Sequence, residues 1–156
     1  MAVFYLRDEP LNKRTGAEKI LAMISFEGNN NDLSVAECLD LIDRYYGKGL
    51  AQIRYDIGID DIKRFLSEGS VVVCPVSGVL LGNPYYTQPG PPYHYILFKG
   101  YDDRTGEFIT NDPGTSRGRN YRYKYAVALN AVHDWMGSLG TVLQGRKAAI
   151  IFRPHK

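Results

Sequence analysis

The sequence predicts a single α+β domain, in which helices come first and a mostly antiparallel sheet follows. Two Ser/Thr-x-x-Glu patterns, beginning at Thr15 and Ser34, each precede apolar residues at helical spacing. Two apolar runs, at residues 70–77 and 93–101, have the composition of buried strands. The turn sequence DDRTG joins the second run to a third, which is typical of an antiparallel hairpin. A length of 156 residues suits one domain with its own hydrophobic core, so we treat residues 1–156 as one unit.

The first helix is predicted from Thr15 to Phe26. Thr15 and Glu18 form its capping box, in which each side chain satisfies a free backbone N–H group. Gly28 and the NNND run behind it are expected to end the helix, because glycine readily adopts the left-handed conformation of a helix end. The residues that form its apolar face are Ala17, Ile20, Leu21 and Ile24.

The second helix begins at the capping box of Ser34 and Glu37 and ends before Gly47 and Gly49. Cys38 lies in the middle of its apolar stripe, so we interpret this cysteine as a small core residue. The stripe as a whole consists of Val35, Cys38, Leu39, Ile42 and Tyr46.

A short strand at residues 51–56 and a third helix at 59–68 follow. The run SVVVCPVS, at residues 70–77, then predicts a buried strand. Pro75 within it has no N–H group for the sheet, so we expect an edge position or a bulge. Cys74 is expected to be packed there as a small hydrophobic residue.

The segment at residues 78–92 is the predicted functional loop. It contains GNPYYTQPGPPY, in which prolines limit flexibility and tyrosines offer contact area at low entropic cost. The chain's tyrosines, twelve in all, cluster from here onward. Two interpretations remain open, a loop that lines a peptide groove and a rigid loop packed on the sheet.

The hairpin at residues 93–111 places a histidine at its start, His94, and an aspartate after its end, Asp112. Side chains alternate between the faces of a sheet, so a connecting loop with an odd number of residues would bring the two to one face, and an even loop would separate them. A three-residue loop with a bulge suits DDRTG, because Gly106 can adopt a positive φ. On the shared face we expect a largely apolar wall formed by Ile96, Phe98, Phe108 and Thr110. A catalytic His–Asp pair and a structural histidine beside an NDPG turn are both compatible with this spacing.

The remainder of the chain carries weaker signals. Residues 115–124 are polar and basic, which fits a solvated loop or a carboxylate-binding patch. A helix is predicted at residues 125–135 and a last strand at 147–152. The adjacent pair His133–Asp134 lacks the further ligands that a metal site needs.

Composition argues against several classes of function. The net charge of +2 gives no electrostatic case for nucleic-acid binding. No apolar run approaches the length of a membrane span. The two cysteines form no metal or redox motif and the three histidines are scattered, so we expect no metal and no cofactor.

The hairpin segment HYILFKGYDDRTGEFITNDPGT resembles the histidine and aspartate segments of cysteine-peptidase domains similar to the double-glycine-leader (bacteriocin-processing) peptidases, a papain-like group. The similarity continues through PVSGVLLGNPYY, RGRNYRYKY and NAVHDW, and it is greater to microbial members than to the leader peptidases themselves. The resemblance implies a papain-like fold, a peptide or protein substrate and no cofactor. It also implies that His94 is the general base and that Asp112 is the acid that orients it.

The amino terminus departs from the pattern of this family. MAVFYL is apolar from its first residue and reads as the end of a buried helix. In the family, the nucleophilic cysteine begins that helix, which implies a cysteine about two helical turns before Met1. We therefore expect that the chain starts inside the domain and that residues 1–156 alone have no peptidase activity. The alternative is a true start, in which case the chain is a non-catalytic module that binds peptides.

Overall fold

The computed structural model describes residues 1–3, 10, 12–28 and 32–153. The predicted helix end at Met1–Leu6 and the segment that follows it therefore lie largely outside the described residues. The helices are α1 (Lys13–Glu27), α2 (Val35–Tyr46), α3 (Ile59–Ser67), α4 (Gly78–Leu81) and α5 (Tyr125–Ala131), with a 3₁₀ helix at Leu139–Gln144. The strands are β1 (Ala51–Tyr55), β2 (Val71–Val76), β3 (His94–Asp102), β4 (Glu107–Asn111), β5 (Arg119–Lys124) and β6 (Ala148–Phe152).

The strands form one six-stranded sheet in the order β1-β6-β2-β3-β4-β5. Every adjacent pair is antiparallel. Most helices precede the hairpin along the chain, so the predicted α+β class with an antiparallel sheet is confirmed.

A hydrophobic cluster covers each face of the sheet. On one face α3, α4 and α5 pack against Val72, Cys74, Ile96 and Phe98. On the other face α2 packs against Leu97, Ile150 and their neighbours, and Ala2 and Val3 join this cluster. His94 has the same parity along β3 as Ile96, so it belongs to the first face.

The helix ends agree with the sequence for α2 and differ for α1. Ser34 and Glu37 form the predicted capping box. In α1 the capping residue is Asn12, and Thr15 is its partner three residues later, so the predicted box of Thr15 with Glu18 is wrong. The predicted apolar face of α1 is largely solvent-exposed, because this helix has few contacts with the rest of the fold.

Pro75 lies in an interior strand, contrary to the expected edge position. The pairing of β2 with β6 covers only Val71 to Val73, so β6 has ended before Pro75 is reached. On that side the Pro75 carbonyl accepts a hydrogen bond from the His133 N–H group at 3.1 Å. Pro75 thus lies beyond the part of β2 that pairs with β6, so no full strand on that side needs its missing N–H group.

The carboxyl-terminal third contains two further differences. The segment that we expected to be a solvated loop includes β5 at Arg119–Lys124. The helix predicted at residues 125–135 ends at Ala131, because Val132 instead bridges to Val76 of β2. The preference for a strand contact outweighs the local helical pattern at this point.

Candidate active site

His94 and Asp112 are in direct contact, with 3.1 Å between His94 Nε2 and Asp112 Oδ1. The loop between the paired residues Asp102 and Glu107 is four residues long, so the predicted odd loop is wrong. A β-bulge between Phe98 and Gly100 adds one residue to β3 and restores the parity. Asp112 therefore lies on the same face of the sheet as His94. It is two residues away from the position directly opposite His94.

The predicted wall around the pair is present. Gly106 has the expected positive φ of 66°. Ile96, Phe98, Phe108 and Thr110 are all buried, with Thr110 0% exposed. The sheet and the loops that cross its end leave the Asp112 side chain 0% exposed, whereas the His94 side chain is 14% exposed.

The carboxylate of Asp112 accepts four hydrogen bonds. Oδ1 accepts from His94 and from the Gly114 backbone N–H group at 2.8 Å. Oδ2 accepts from the Tyr86 hydroxyl and from the Tyr123 hydroxyl, the latter at 2.6 Å. Burial alone would raise the pKa of Asp112, but the hydrogen bonds from His94, the two phenols and Gly114 outweigh it and lower the pKa to about 2. Asp112 is thus a buried anion at neutral pH.

The two ring nitrogens of His94 are in different environments. A carboxylate only accepts hydrogen bonds, so Nε2, which faces Asp112, carries the hydrogen of the neutral ring. Nδ1 is buried and has no hydrogen-bond partner within the described part of the chain. The unprotonated nitrogen of this tautomer is therefore the unpartnered one, which leaves it free to accept a proton.

Gly114 closes the NDPG turn directly over this contact. A Cβ atom on Gly114 would lie 3.0 Å from the Tyr86 ring, 3.1 Å from Asp112 Oδ1 and 3.2 Å from His94 Nε2. A side chain at this position would force its neighbours to shift, and all three neighbours are held by hydrogen bonds to one another.

The imidazole of His94 lines a surface cavity of about 450 Å³. Two loops form its walls, one between α4 and β3 and the other after β4. The loop before β3 is packed on the sheet through Tyr86 and Asn83, which are 5% and 1% exposed. It is therefore packed on the sheet, as in one of the two interpretations, and it also borders an open cavity. The lining residues are Thr87, Gly90, Pro91, His94, Pro113 and Gly114.

Neither cysteine of the chain contacts His94. Cys38 packs with the cluster on the opposite face of the sheet, and burial raises the pKa of its thiol to about 11. Cys74 is on the same face as His94 but is fully buried among apolar side chains, which raises the pKa of its thiol. Both positions agree with the expectation that these cysteines fill the core.

The weaker signals of the sequence have structural explanations. Asp134 accepts hydrogen bonds from the backbone N–H groups of Val35 and Trp135, so it caps α2. His133 contacts the Gly145 carbonyl and the amine of Lys147.

The described residues contain no group of three or more His, Cys, Asp or Glu side chains arranged to hold a metal ion. In that same part of the chain, no helix has the length and apolar character needed to cross a lipid bilayer.

The basic segment is divided between ion pairs and an aromatic contact. Arg122 and Lys124 pair with Glu107. The guanidinium of Arg117 lies 4.6 Å from the centre of the Tyr85 ring. Arg122 also pairs with Asp102, so both cations are already engaged in ion pairs within the fold, which argues against a patch formed by the whole segment.

The sequence and the fold are similar to those of known proteins. A model of the Peptidase_C39-like family matches residues 1–139. The chain belongs to this family. Its structure also resembles that of a "putative C39-like peptidase" from Bacillus anthracis, with a TM-score of 0.52 and 13% sequence identity. The match covers 82% of this chain and 62% of that chain, so the sequence spans less than two thirds of that structure.

The sequence matches no curated protein at a significant level. The structural similarity supports the C39-like peptidase fold, and the family model supports a peptidase-like domain of the cysteine type. The catalytic roles of His94 and Asp112 remain predictions.

Two residues of the site were not predicted from the sequence, Tyr86 and Tyr123. They belong to the loop before β3 and to β5, and their hydroxyl groups meet at Oδ2 of Asp112. The sole signal was the concentration of tyrosines in this half of the chain, which does not indicate which of them are buried together.

Proposed function

We propose that this chain carries the histidine and acid residues of a cysteine peptidase that cleaves peptide bonds. His94 is the general base and acid, Asp112 orients it, and a peptide substrate occupies the cavity that His94 lines. Family membership supports the reaction class. The single observation that carries the assignment of residues is the orientation of the His94 ring. Its Nε2 contacts Asp112 at 3.1 Å, and its Nδ1 has no hydrogen-bond partner among the described residues.

In this mechanism His94 Nδ1 accepts the proton of a cysteine thiol, and the thiolate attacks the carbonyl carbon of the scissile peptide bond. The imidazolium then donates the same proton to the leaving amine, so that an acyl-enzyme forms. Asp112 keeps the ring in its orientation and stabilises the imidazolium, without itself accepting the proton.

The thiol of this mechanism is not Cys38 or Cys74. A nucleophilic cysteine needs partial exposure, a lowered pKa and contact with the base, whereas burial raises the pKa of both thiols. We therefore propose that the nucleophile belongs to a segment outside residues 1–156. A second candidate, a non-catalytic module that binds peptides in the same cavity, is favoured if no such cysteine is encoded.

A peptide-based electrophile that reacts with catalytic thiols tests this proposal on the protein expressed from its native gene. We expect one labelled cysteine outside residues 1–156, and we expect its labelling at neutral pH to be lost in His94→Ala. A native gene that encodes no further cysteine, or labelling that is independent of His94, would contradict the enzymatic proposal.

A further inference from the structure

We infer that Tyr86 and Tyr123 are positioning residues, whose hydroxyl groups hold the buried Asp112 carboxylate ionised and fixed against His94. This inference rests on the proposed function, because it assigns a task to groups that would contact neither the substrate nor the thiol. It concerns two elements of the fold, the loop before β3 and strand β5.

The Asp112 carboxylate depends on the hydrogen-bond donors around it. Its side chain is 0% exposed, so no water is available to solvate the charge. An unpaired buried carboxylate would become protonated, and it would then no longer require a donor at His94 Nε2. The phenols occupy Oδ2, which leaves Oδ1 for Gly114 and His94. Without the phenols, Oδ2 would be buried with no donor.

Tyr123 is itself fixed by a third residue. The amide nitrogen of Asn83 donates to the Tyr123 hydroxyl at 2.7 Å, and the amide oxygen of Asn83 accepts from the Tyr85 backbone N–H group at 3.0 Å. Because its oxygen accepts this bond, the Tyr123 hydroxyl directs its own hydrogen toward Asp112. Asn83 is 1% exposed, so the hydrogen bonds from Asn83 to Tyr123 and from Tyr123 to Asp112 are protected from water.

Tyr86 also restricts the imidazole. The Tyr86 hydroxyl lies 3.3 Å from His94 Nε2, and its ring meets the imidazole edge to face with 5.7 Å between centroids. Burial, followed by the hydrogen bond to Asp112, raises the pKa of both tyrosines, so they remain donors at neutral pH. The titratable groups that face Asp112 are His94 from β3, Tyr86 from the loop, and Tyr121 and Tyr123 from β5.

Nuclear magnetic resonance of the chain tests the inference without any need for peptidase activity. The carbon-13 signal of the Asp112 carboxyl reports its ionisation, and the nitrogen-15 signals of the His94 ring report which nitrogen carries the hydrogen. The variants are Tyr86→Phe and Tyr123→Phe. The matched controls are Tyr85→Phe, in the same loop, and Tyr121→Phe, on the same strand. Backbone spectra of each variant verify that the fold is intact.

In the unmodified chain we expect Asp112 to stay ionised to about pH 3 or below, with the hydrogen on His94 Nε2. Each loss of a phenol should raise the Asp112 pKa by about one, since a hydrogen bond to a charged group is removed. It should also lower the population of the Nε2–H tautomer, whereas the controls should change neither signal.

Equal behaviour of the variants and their controls would overturn the inference. If a variant does not fold, the titration of Asp112 in the unmodified chain still tests the inference. An Asp112 that titrates near its ordinary pKa of about 4 excludes the proposed role of the two phenols. The proposed peptidase function fails separately, through the absence of a His94-dependent thiol, so the two failures are distinguishable.

Discussion

His94 and Asp112 share one face of the sheet because Lys99 is an extra residue in β3. The bulge lies between the pairs Phe98–Thr110 and Gly100–Ile109, and the hairpin loop beyond it has an even number of residues. With that loop alone, the imidazole and the carboxylate would lie on opposite faces. The contact at the centre of the site thus depends on a local irregularity several residues away from it.

The first prediction concerns the glycine that covers this contact. Gly114→Ala should destabilise the fold by about 1–3 kcal/mol, because the new methyl group would compress against His94, Asp112 and Tyr86. Urea unfolding measures the change. Gly140→Ala is the matched control, since a Cβ there has only Ser138 at 4.0 Å, and it should leave stability nearly unchanged. Equal stability of the two variants would contradict this prediction, because it would show that the turn can move to accommodate the methyl group without a loss of stability.

The second prediction concerns acid stability. The pKa of Asp112 is lowered to about 2 in the folded chain, so its ionised form favours folding. This contribution, on the order of 2 kcal/mol, is complete above the unfolded pKa of about 4 and is lost as pH falls toward 2. Urea unfolding of the unmodified chain and of Asp112→Asn at pH 6 and pH 2.5 should therefore give a difference that shrinks at the lower pH. Asp60→Asn, at an exposed site on α3, is the control. A constant difference would refute the ionised buried carboxylate.

The third prediction concerns the two cysteines. At pH 7.5 iodoacetamide should modify Cys38 about a hundredfold more slowly than in the urea-unfolded chain, since its pKa rises from 9.0 to about 11. Cys74 should react more slowly still, because it is fully buried. Mass spectrometry of timed samples gives both rates. Residues 1–156 should also show no alkylation-sensitive peptide cleavage. Rapid modification of either cysteine, together with loss of cleavage, would make that residue the nucleophile.

The sequence predicted the elements whose signals are local. The Ser34–Glu37 capping box, the buried run of β2 and the two strands of the hairpin each depend on residues close together in the chain. The sequence left a shared face for His94 and Asp112 open and tied it to an odd hairpin loop, whereas the structure reaches that face through a bulge. Gly100, a glycine inside the strand pattern, was the one sequence signal for a bulge, but it does not identify Lys99 as the extra residue.

The rest of the site depends on distant pairing. Tyr86 and Tyr123 reach one carboxylate from elements far apart in the chain, and neither is distinguished from neighbouring tyrosines by its local pattern. The strand β5 was missed because its alternating basic and aromatic residues resemble a solvated segment until Glu107 pairs with Lys124 and Arg122. Tertiary contacts decide such segments more than intrinsic propensity does.

The most direct test of the central claim is peptide cleavage by the protein expressed from its native gene, measured as kcat/KM in the unmodified form and in His94→Ala and Asp112→Asn. His94→Ala should lower kcat/KM by at least about 10³-fold and Asp112→Asn by about 10²-fold or more, with the fold intact. An alkylator should abolish the activity of the unmodified protein. Cleavage that persists at full rate in His94→Ala would contradict the account.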